Sequence, residues 1–198
     1  NQAANIEDLL TQKVNSVIIH PVNSAASGIL VHKIKKAGIP VIAMDRLPQN
    51  APVDIYVTAN SYKVGQIQAE FLAKKIGYKG NVIILQGEAG NDVAREITRG
   101  NLDVLKKYPG IKIVVNQMHK NWARELAMAT TEDALTRYKN NIAGILANNS
   151  GMAMGAVQAL KAQGLIGKVV CIGSDADFDA CQSIINGELT ADVDKKPI

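Results

Sequence analysis

At 198 residues the chain is long enough for one large domain or two small ones, and its 47% hydrophobic and 20% charged residues give no reason to expect disorder. No apolar run approaches the roughly 18 residues a membrane helix needs, and the net charge of +4 comes from scattered basic residues rather than a stripe, so no nucleic-acid surface is expected. The opening Asn1-Gln2-Ala3-Ala4-Asn5 is polar, lacks a basic n-region and reads as the inside of a helix, so the natural protein is expected to begin earlier.

Short apolar runs and helical stripes then alternate along the chain. Val17-Ile18-Ile19 is a strand, and Ile29, Leu30, Val31 and Ile34 place an apolar stripe on a helix over 28–36. Gly38-Ile39-Pro40 breaks that helix, and 41–44 is the next strand. Further strands are predicted at 54–58, 81–85, 111–115, 142–146, 169–172 and 189–193. Helices are predicted at 61–76, 92–107, 122–136, 151–163 and 177–185. Continuous apolar strands separated by helices indicate parallel sheets covered on both faces, a doubly wound α/β fold. Lys35-Lys36, Lys74-Lys75 and Lys106-Lys107 fall near helix ends, where the dipole favours cations.

Two stretches share a plan. The first runs Val17-Ile18-Ile19-His20-Pro21-Val22-Asn23-Ser24, a helix, Ala37-Gly38, and Val41-Ile42-Ala43-Met44-Asp45. The second runs Gly144-Ile145-Leu146-Ala147-Asn148-Asn149-Ser150, a helix, Gln163-Gly164, and Val169-Val170-Cys171-Ile172-Gly173-Ser174-Asp175. Any two βα units have some of this in common; the sharper reading is two lobes of similar fold. Polar residues just beyond strand C-termini line the crevice where open α/β sheets bind ligands. Two such lobes would put Asp45 and Asp175 on opposite walls of one cleft.

Several chemistries are weakly supported. Asp175-Ala176-Asp177-Phe178-Asp179 has acids at positions one, three and five of a calcium loop, but position six is Ala180 and position twelve Asn186. Gln86-Gly87-Glu88-Ala89-Gly90-Asn91 follows a strand as phosphate loops do, yet lacks their endings and reads as a βα turn with glycines at positive φ. His20, His32 and His119 form no i, i+4 pair and neighbour no cysteine; no metal site, cofactor or catalytic residue is assigned. No GxSxG positions a nucleophile. Cys171 lies in an apolar run and reads as a buried small residue, and a disulfide to Cys181 stays open.

Asp45-Arg46 is more specific. An acid and a guanidinium side by side after a buried strand accept from and donate to adjacent sugar hydroxyls, although a surface-turn ion pair has the same sequence. Trp122 is the single tryptophan, and it fits either stacking on the apolar face of a sugar ring or plain packing.

Together with Asn149-Ser150-Gly151-Met152-Ala153 and Gly173-Ser174-Asp175-Ala176-Asp177, the Asp45-Arg46 pair resembles the ribose/xylose branch of type I periplasmic sugar-binding proteins. Lys63-Val64-Gly65, the run from Ala159 to Leu165 and the segment from Gly187 to Lys195 resemble the D-xylose-binding members in particular. The resemblance implies two Rossmann-like lobes with doubly wound parallel sheets, joined by three hinge strands, the first lobe incomplete in this chain. Residues 1–59 would be part of the first lobe, 60–195 the second, and 196–198 the start of the return crossing. It implies sugar contacts from Asp45, Arg46, Asn149, Asp175 and Trp122, and from Lys195 as a hinge-side polar residue. The family's cleft arginine falls at Ile97 or Thr98, flanked here by Arg95 and Arg99; Arg95, nearer the helix N-terminus, is preferred. The implied function is non-enzymatic capture of a monosaccharide, a pentose and specifically D-xylose, outside the cytoplasm, in the periplasm or anchored at the cell surface. The implied membrane partner is an ABC permease or a sensor histidine kinase. The rival reading is the sugar-responsive effector domain of a LacI-like transcription repressor, which shares the fold.

Overall fold

Two parallel sheets organise the chain. The computed structural model describes residues 1–195, and it divides into two units. One is formed by Asn1–Ala59 with Gly90–Val93, the other by Asn60–Ala89 with Ala94–Lys195. The expected return crossing at 196–198 lies outside the described residues.

The first unit contains α1 (Gln2–Thr11), β1 (Val17–Ile19), α2 (Ser24–Lys36), β2 (Val41–Met44) and β3 (Ile55–Val57). Its strands run parallel in the order β1-β2-β3, with Val17 opposite Val41 and Ile42 opposite Ile55. The strand period of two decides which side chains are buried. Val17, Ile19, Val41 and Ala43 turn inward onto Ile6 of α1 and Val31 and Ile34 of α2, whereas Ile18 is 64% exposed. This unit therefore has a one-sided core among the described residues.

The second unit holds α3 (Ser61–Lys75), β4 (Gly80–Gln86), most of α4 (Asp92–Leu105), β5 (Ile111–Met118), α5 (Arg124–Arg137), β6 (Gly144–Ala147), α6 (Ser150–Ala162), β7 (Val170–Ser174), α7 (Phe178–Ile185) and β8 (Ala191–Val193). Its five strands are parallel in the order β5-β4-β6-β7-β8. Both faces are covered, as the unbroken apolar strands require. Ile83 and Leu85 of β4 pack with α5 and α6 residues such as Ala127, Leu135, Met152 and Leu160. Val82 and Ile84 pack on the opposite face with Ala69 and Leu72 of α3 and Val104 and Leu105 of α4. Each of these four strand residues is fully buried, a contribution of roughly 1.5–3 kcal/mol apiece. β4 has β5 on one side and β6 on the other, so the strand order reverses there, which places the ligand-binding crevice of an open sheet beyond the C-termini of β4 and β6.

The elements start and stop for local reasons. Asn23, Asn60 and Asn149 cap α2, α3 and α6 by accepting from the backbone N–H of Ala26, Lys63 and Met152 at 3.0, 2.9 and 2.8 Å, each worth about 1 kcal/mol. The first of these caps starts α2 at Ser24, four residues before the expected 28. β5 runs on to Met118 because its pairing with β4 continues to Gln86 opposite Met118; the polar Asn116-Gln117 conceals this in the sequence. A helix was expected to open at Trp122. Instead Lys120–Trp122 is one 3-10 turn in which Asn121 (φ 54°) and Trp122 (φ 56°) are left-handed, so α5 begins only at Arg124.

Candidate functional site

In the first unit the chain leaves β2 through Asp45, a non-glycine residue at φ 61°. Several bonds hold that conformation. The Asp45 N–H donates to Val57 O (2.8 Å), and its carbonyl accepts from Thr58 Oγ1 (2.7 Å) and Tyr56 Oη (3.1 Å). The carboxylate is thereby turned away from the strand. Its Oδ2 accepts from His20 Nε2 at 3.0 Å and lies 3.5 Å from Arg46 Nε. Arg46 also donates through Nη1 to Pro21 O at 3.2 Å. The sequence pair Asp45-Arg46 is thus a cluster of three, with His20 delivered from the end of β1. Asp45 and His20 are about half exposed, so the pairing adds little stability by itself; what it does is orient charged donors and acceptors.

In the second unit the expected residues sit past the C-termini of β4 to β8. Asp175 follows β7 at φ 128° and Ala176 follows at φ 58°. Asp175 Oδ1 pairs with Lys195 Nζ at 2.6 Å, the lysine side chain only 15% exposed. Asn149 is partly buried and spends Oδ1 on the α6 cap. Trp122 lies flat over Gly87, in the loop after β4: a Cβ on Gly87 would stand 2.4 Å from the ring. Gly87 is therefore needed for close approach; of the two loop glycines only Gly90, at φ 80°, has the expected positive φ. Arg95 is exposed on α4. Arg99 is engaged elsewhere, 2.5 Å from Glu96 and 4.3 Å over the Tyr62 ring, and its hydrogen bond to Glu96 raises its pKa.

Both cysteines are free, Cys171 buried and Cys181 exposed. Burial pushes the Cys171 thiol up to about 12, so at neutral pH it is an inert packing group. Among the described residues no group of three or more His, Cys, Asp or Glu is placed to hold a metal ion, and no helix is long and apolar enough to cross a membrane.

Along residues 1–198 the sequence matches the family described as periplasmic binding protein domain. The chain belongs to that family. It is 37% identical to the D-xylose-binding periplasmic protein of Haemophilus influenzae, a match over 100% of this chain and 60% of that protein. It therefore spans less than two thirds of that relative's length. Among solved structures, an ABC transporter periplasmic solute-binding protein of Actinobacillus succinogenes with bound D-allose superposes with a TM-score of 0.89 at 35% identity, covering 98% of this chain and 70% of that one. The fructose-binding periplasmic domain of a hybrid two-component system superposes with a TM-score of 0.89 at 27% identity, covering 95% and 64%.

Four polar residues at the second unit's strand ends in this periplasmic binding protein domain were not among the expected site residues. Asn148 is fully buried and accepts through Oδ1 from Gly87 N–H (3.0 Å) and Thr98 Oγ1 (3.1 Å), tying the loops after β4 and β6 together. Gln68 of α3, also fully buried, donates to Ala147 O and Gly173 O, both at 2.8 Å, and wedges between the ends of β6 and β7. His119 bonds Gln86 O through Nδ1 and Thr130 Oγ1 through Nε2, both at 3.0 Å, and burial lowers its pKa. Its neutral ring, protonated at Nδ1, satisfies both partners. Asp192 of β8 accepts from Ala176 N–H (2.9 Å) and Ser150 Oγ (3.0 Å), and its carboxyl is raised to about 6, first by burial and then, against those bonds, by Asp175 and Asp177. An acid inside the strand-like run Leu189-Thr190-Ala191-Asp192-Val193 was the available signal for it.

Proposed function

We propose that the protein captures a monosaccharide outside the cytoplasm and releases it unchanged, a pentose such as D-xylose being the favoured ligand. The observation that carries this is the pairing of a left-handed strand-end Asp175 with Lys195 past the C-termini of β7 and β8, on the same edge of the sheet as Asn149 after β6 and a flat Trp122 after β5. A carboxylate accepts and an ammonium donates to neighbouring hydroxyls, and a wrong epimer leaves one of them desolvated without a partner. An indole face suits the C–H face of a pyranose. Asp45, Arg46 and His20 offer the same combination of acceptor and donors from the first unit, and we propose residues 1–59 and 60–195 as the two lobes of a clamp that ligand closes. Arg95 is proposed as a further sugar contact. The similarity to D-xylose-binding proteins favours a pentose, and it favours this reading over a repressor's effector domain. Handing the loaded form to an ABC permease is the preferred outlet. The relative from a hybrid two-component system supports signalling through a sensor kinase as the alternative.

Titration calorimetry of the intact protein against D-xylose, D-ribose, L-arabinose and D-glucose tests the reading, with recovery of the sugar checked by NMR. D-xylose is expected to bind most tightly and to be returned unaltered. Replacing Asp175 with Ala strands Lys195, at a cost of roughly 2–5 kcal/mol of binding. Binding of none of these sugars, chemical conversion of one, or wild-type affinity in the Asp175→Ala protein would each overturn it.

A further inference from the structure

We infer that Asp192 is the positioning residue of the second unit's sugar site, its carboxylate holding the loop after β7 and the start of α6 in one arrangement. The inference rests on the reading of Asp175 and Asn149 as sugar contacts. Asp175 and Ala176 are consecutive non-glycine residues at φ 128° and 58°, and such a backbone persists only where its surroundings over-determine it. Asp192 is what meets it: Oδ1 accepts from the Ala176 N–H at 2.9 Å. Its Oδ2 accepts at 3.0 Å from Ser150 Oγ, the residue directly after Asn149, and that hydroxyl in turn accepts from Asp177 N–H at 3.3 Å. One carboxylate therefore spans both proposed contact loops. β7 makes room for it with Gly173, where a Cβ would lie 2.3 Å from Asp192 Oδ2.

The position is costly for a charge. Asp175 and Asp177 face Asp192 from the loop after β7, Lys195 is drawn to Asp175 just beyond β8, and on β7 the neighbour is the buried Cys171 thiol. Neither the two acids nor the thiol favours ionisation of Asp192. A group that served packing alone would be better neutral. An ionised acceptor, however, makes hydrogen bonds about twice as strong as a neutral one, which suits a clamp on a strained loop. The first unit repeats the arrangement: Asp92, which groups with that unit, accepts from Ser24 Oγ (3.2 Å) and from Leu47 N–H (2.9 Å), two residues past Asp45.

The test compares wild type, Asp192→Asn, Asp192→Ala and Asp175→Ala in the intact protein. D-xylose affinity is measured by calorimetry between pH 5.5 and 7.5, and urea stability by Trp122 emission. The Asp192→Asn change keeps an acceptor for Ala176 N–H but loses the charge. It is expected to weaken binding about fivefold at pH 7.5 while leaving the protein at least as stable as wild type. Wild type should lose about two- to threefold on going to pH 5.5, where the Asp192→Asn protein should be flat. The Asp192→Ala change should weaken binding by at least about tenfold; should that protein not fold, the Asp192→Asn pH profile decides alone. Wild-type affinity and pH profile in the Asp192→Asn protein, or an affinity loss that merely tracks lost stability, overturns the positioning role. No sugar binding by wild type, or wild-type affinity after Asp175→Ala, sinks the site reading instead.

Discussion

Adding one methyl group at Gly87 tests the geometry of the only tryptophan. An ideal Cβ there would lie 2.4 Å from Trp122 Cζ3 and 2.5 Å from Cε3 and Cη2, whereas carbon atoms rest about 3.5–4.0 Å apart. The ring must therefore retreat by about 1 Å or more. Gly87 lies outside the left-handed region, so alanine introduces no backbone strain and the whole effect belongs to the ring. Overpacking of this kind costs about 1–3 kcal/mol of stability. Loss of a well-placed stacking face would weaken sugar binding by roughly 0.5–1.5 kcal/mol, about two- to tenfold in Kd. Urea unfolding followed by Trp122 emission reads the first quantity, and calorimetry with D-xylose the second. Trp122→Phe in the Gly87→Ala background removes the clashing atoms and should restore most of the lost stability, read for all three proteins by far-UV circular dichroism because that variant has no Trp122 emission. An unchanged emission maximum and unfolding midpoint in Gly87→Ala would refute the stacked arrangement. Reduced stability with unchanged affinity would keep the packing and remove Trp122 from the sugar site.

Leu85 is fully buried in the layer between β4 and α5–α6; Leu85→Ala should cost about 2–5 kcal/mol, read from the urea midpoint. The pH dependence of stability should carry the Asp192 titration. Its carboxyl is raised from 3.8 to about 6 in the fold, so the folded state binds the proton more tightly, and the stability linked to this group is present below about pH 4 and lost as pH rises through about 6. The difference in unfolding free energy between wild type and Asp192→Asn should therefore fall by roughly 2 kcal/mol between pH 4 and 6.5 and stay nearly constant above. His119, its pKa lowered by burial, acts in the opposite direction, withdrawing stability as pH falls, but it is common to both proteins and cancels in the difference. A difference that does not vary with pH would remove the buried charge from the argument.

The order of elements was legible because both periods in this chain are strong. Val82-Ile83-Ile84-Leu85 is apolar at four successive positions because both faces of β4 are buried, and Gly38-Ile39-Pro40 closes a helix with an unmistakable stop. Where the reading erred, a tertiary contact outweighed local pattern. The helix expected to open at Trp122 starts late because Asn121 and Trp122 take left-handed backbone, an arrangement secured by the Asn121 N–H bond to the Glu88 carboxylate from another loop. The proposed site was legible where it uses charged residues at strand ends, as at Asp45 and Asp175. It was obscure where it used buried polar groups. Gln68 lies seven residues into α3 and reads as a surface glutamine, yet its amide is inserted between the carbonyls of Ala147 and Gly173. Nothing in the local sequence says which side of a helix faces a gap between two strands, because that gap exists only once the sheet has formed.

The repeated plan seen in the sequence goes deeper in three dimensions than strand and helix order. In both stretches an asparagine caps the helix and a glycine at positive φ closes it, Gly38 at 77° and Gly164 at 62°. In both, the strand that follows ends in an aspartate with left-handed backbone. In both, the serine at the first position of the helix donates to a further aspartate, whose other oxygen accepts a backbone N–H just past the strand-end aspartate. Helix capping by itself would explain the asparagines and glycines, since any βα unit gains from them. It does not explain two left-handed aspartates, because that backbone is unfavourable for a residue with a Cβ and a glycine would relieve it. Nor does it explain why a carboxylate stands behind each of them, in one case partly buried and facing two other acids. What the strained backbone achieves in each unit is to turn a carboxylate off the end of its strand, toward His20 and Arg46 in one and Lys195 in the other. The same local cost is borne twice for the same presentation, and that is the physical ground for proposing the strand-end aspartates as ligand contacts.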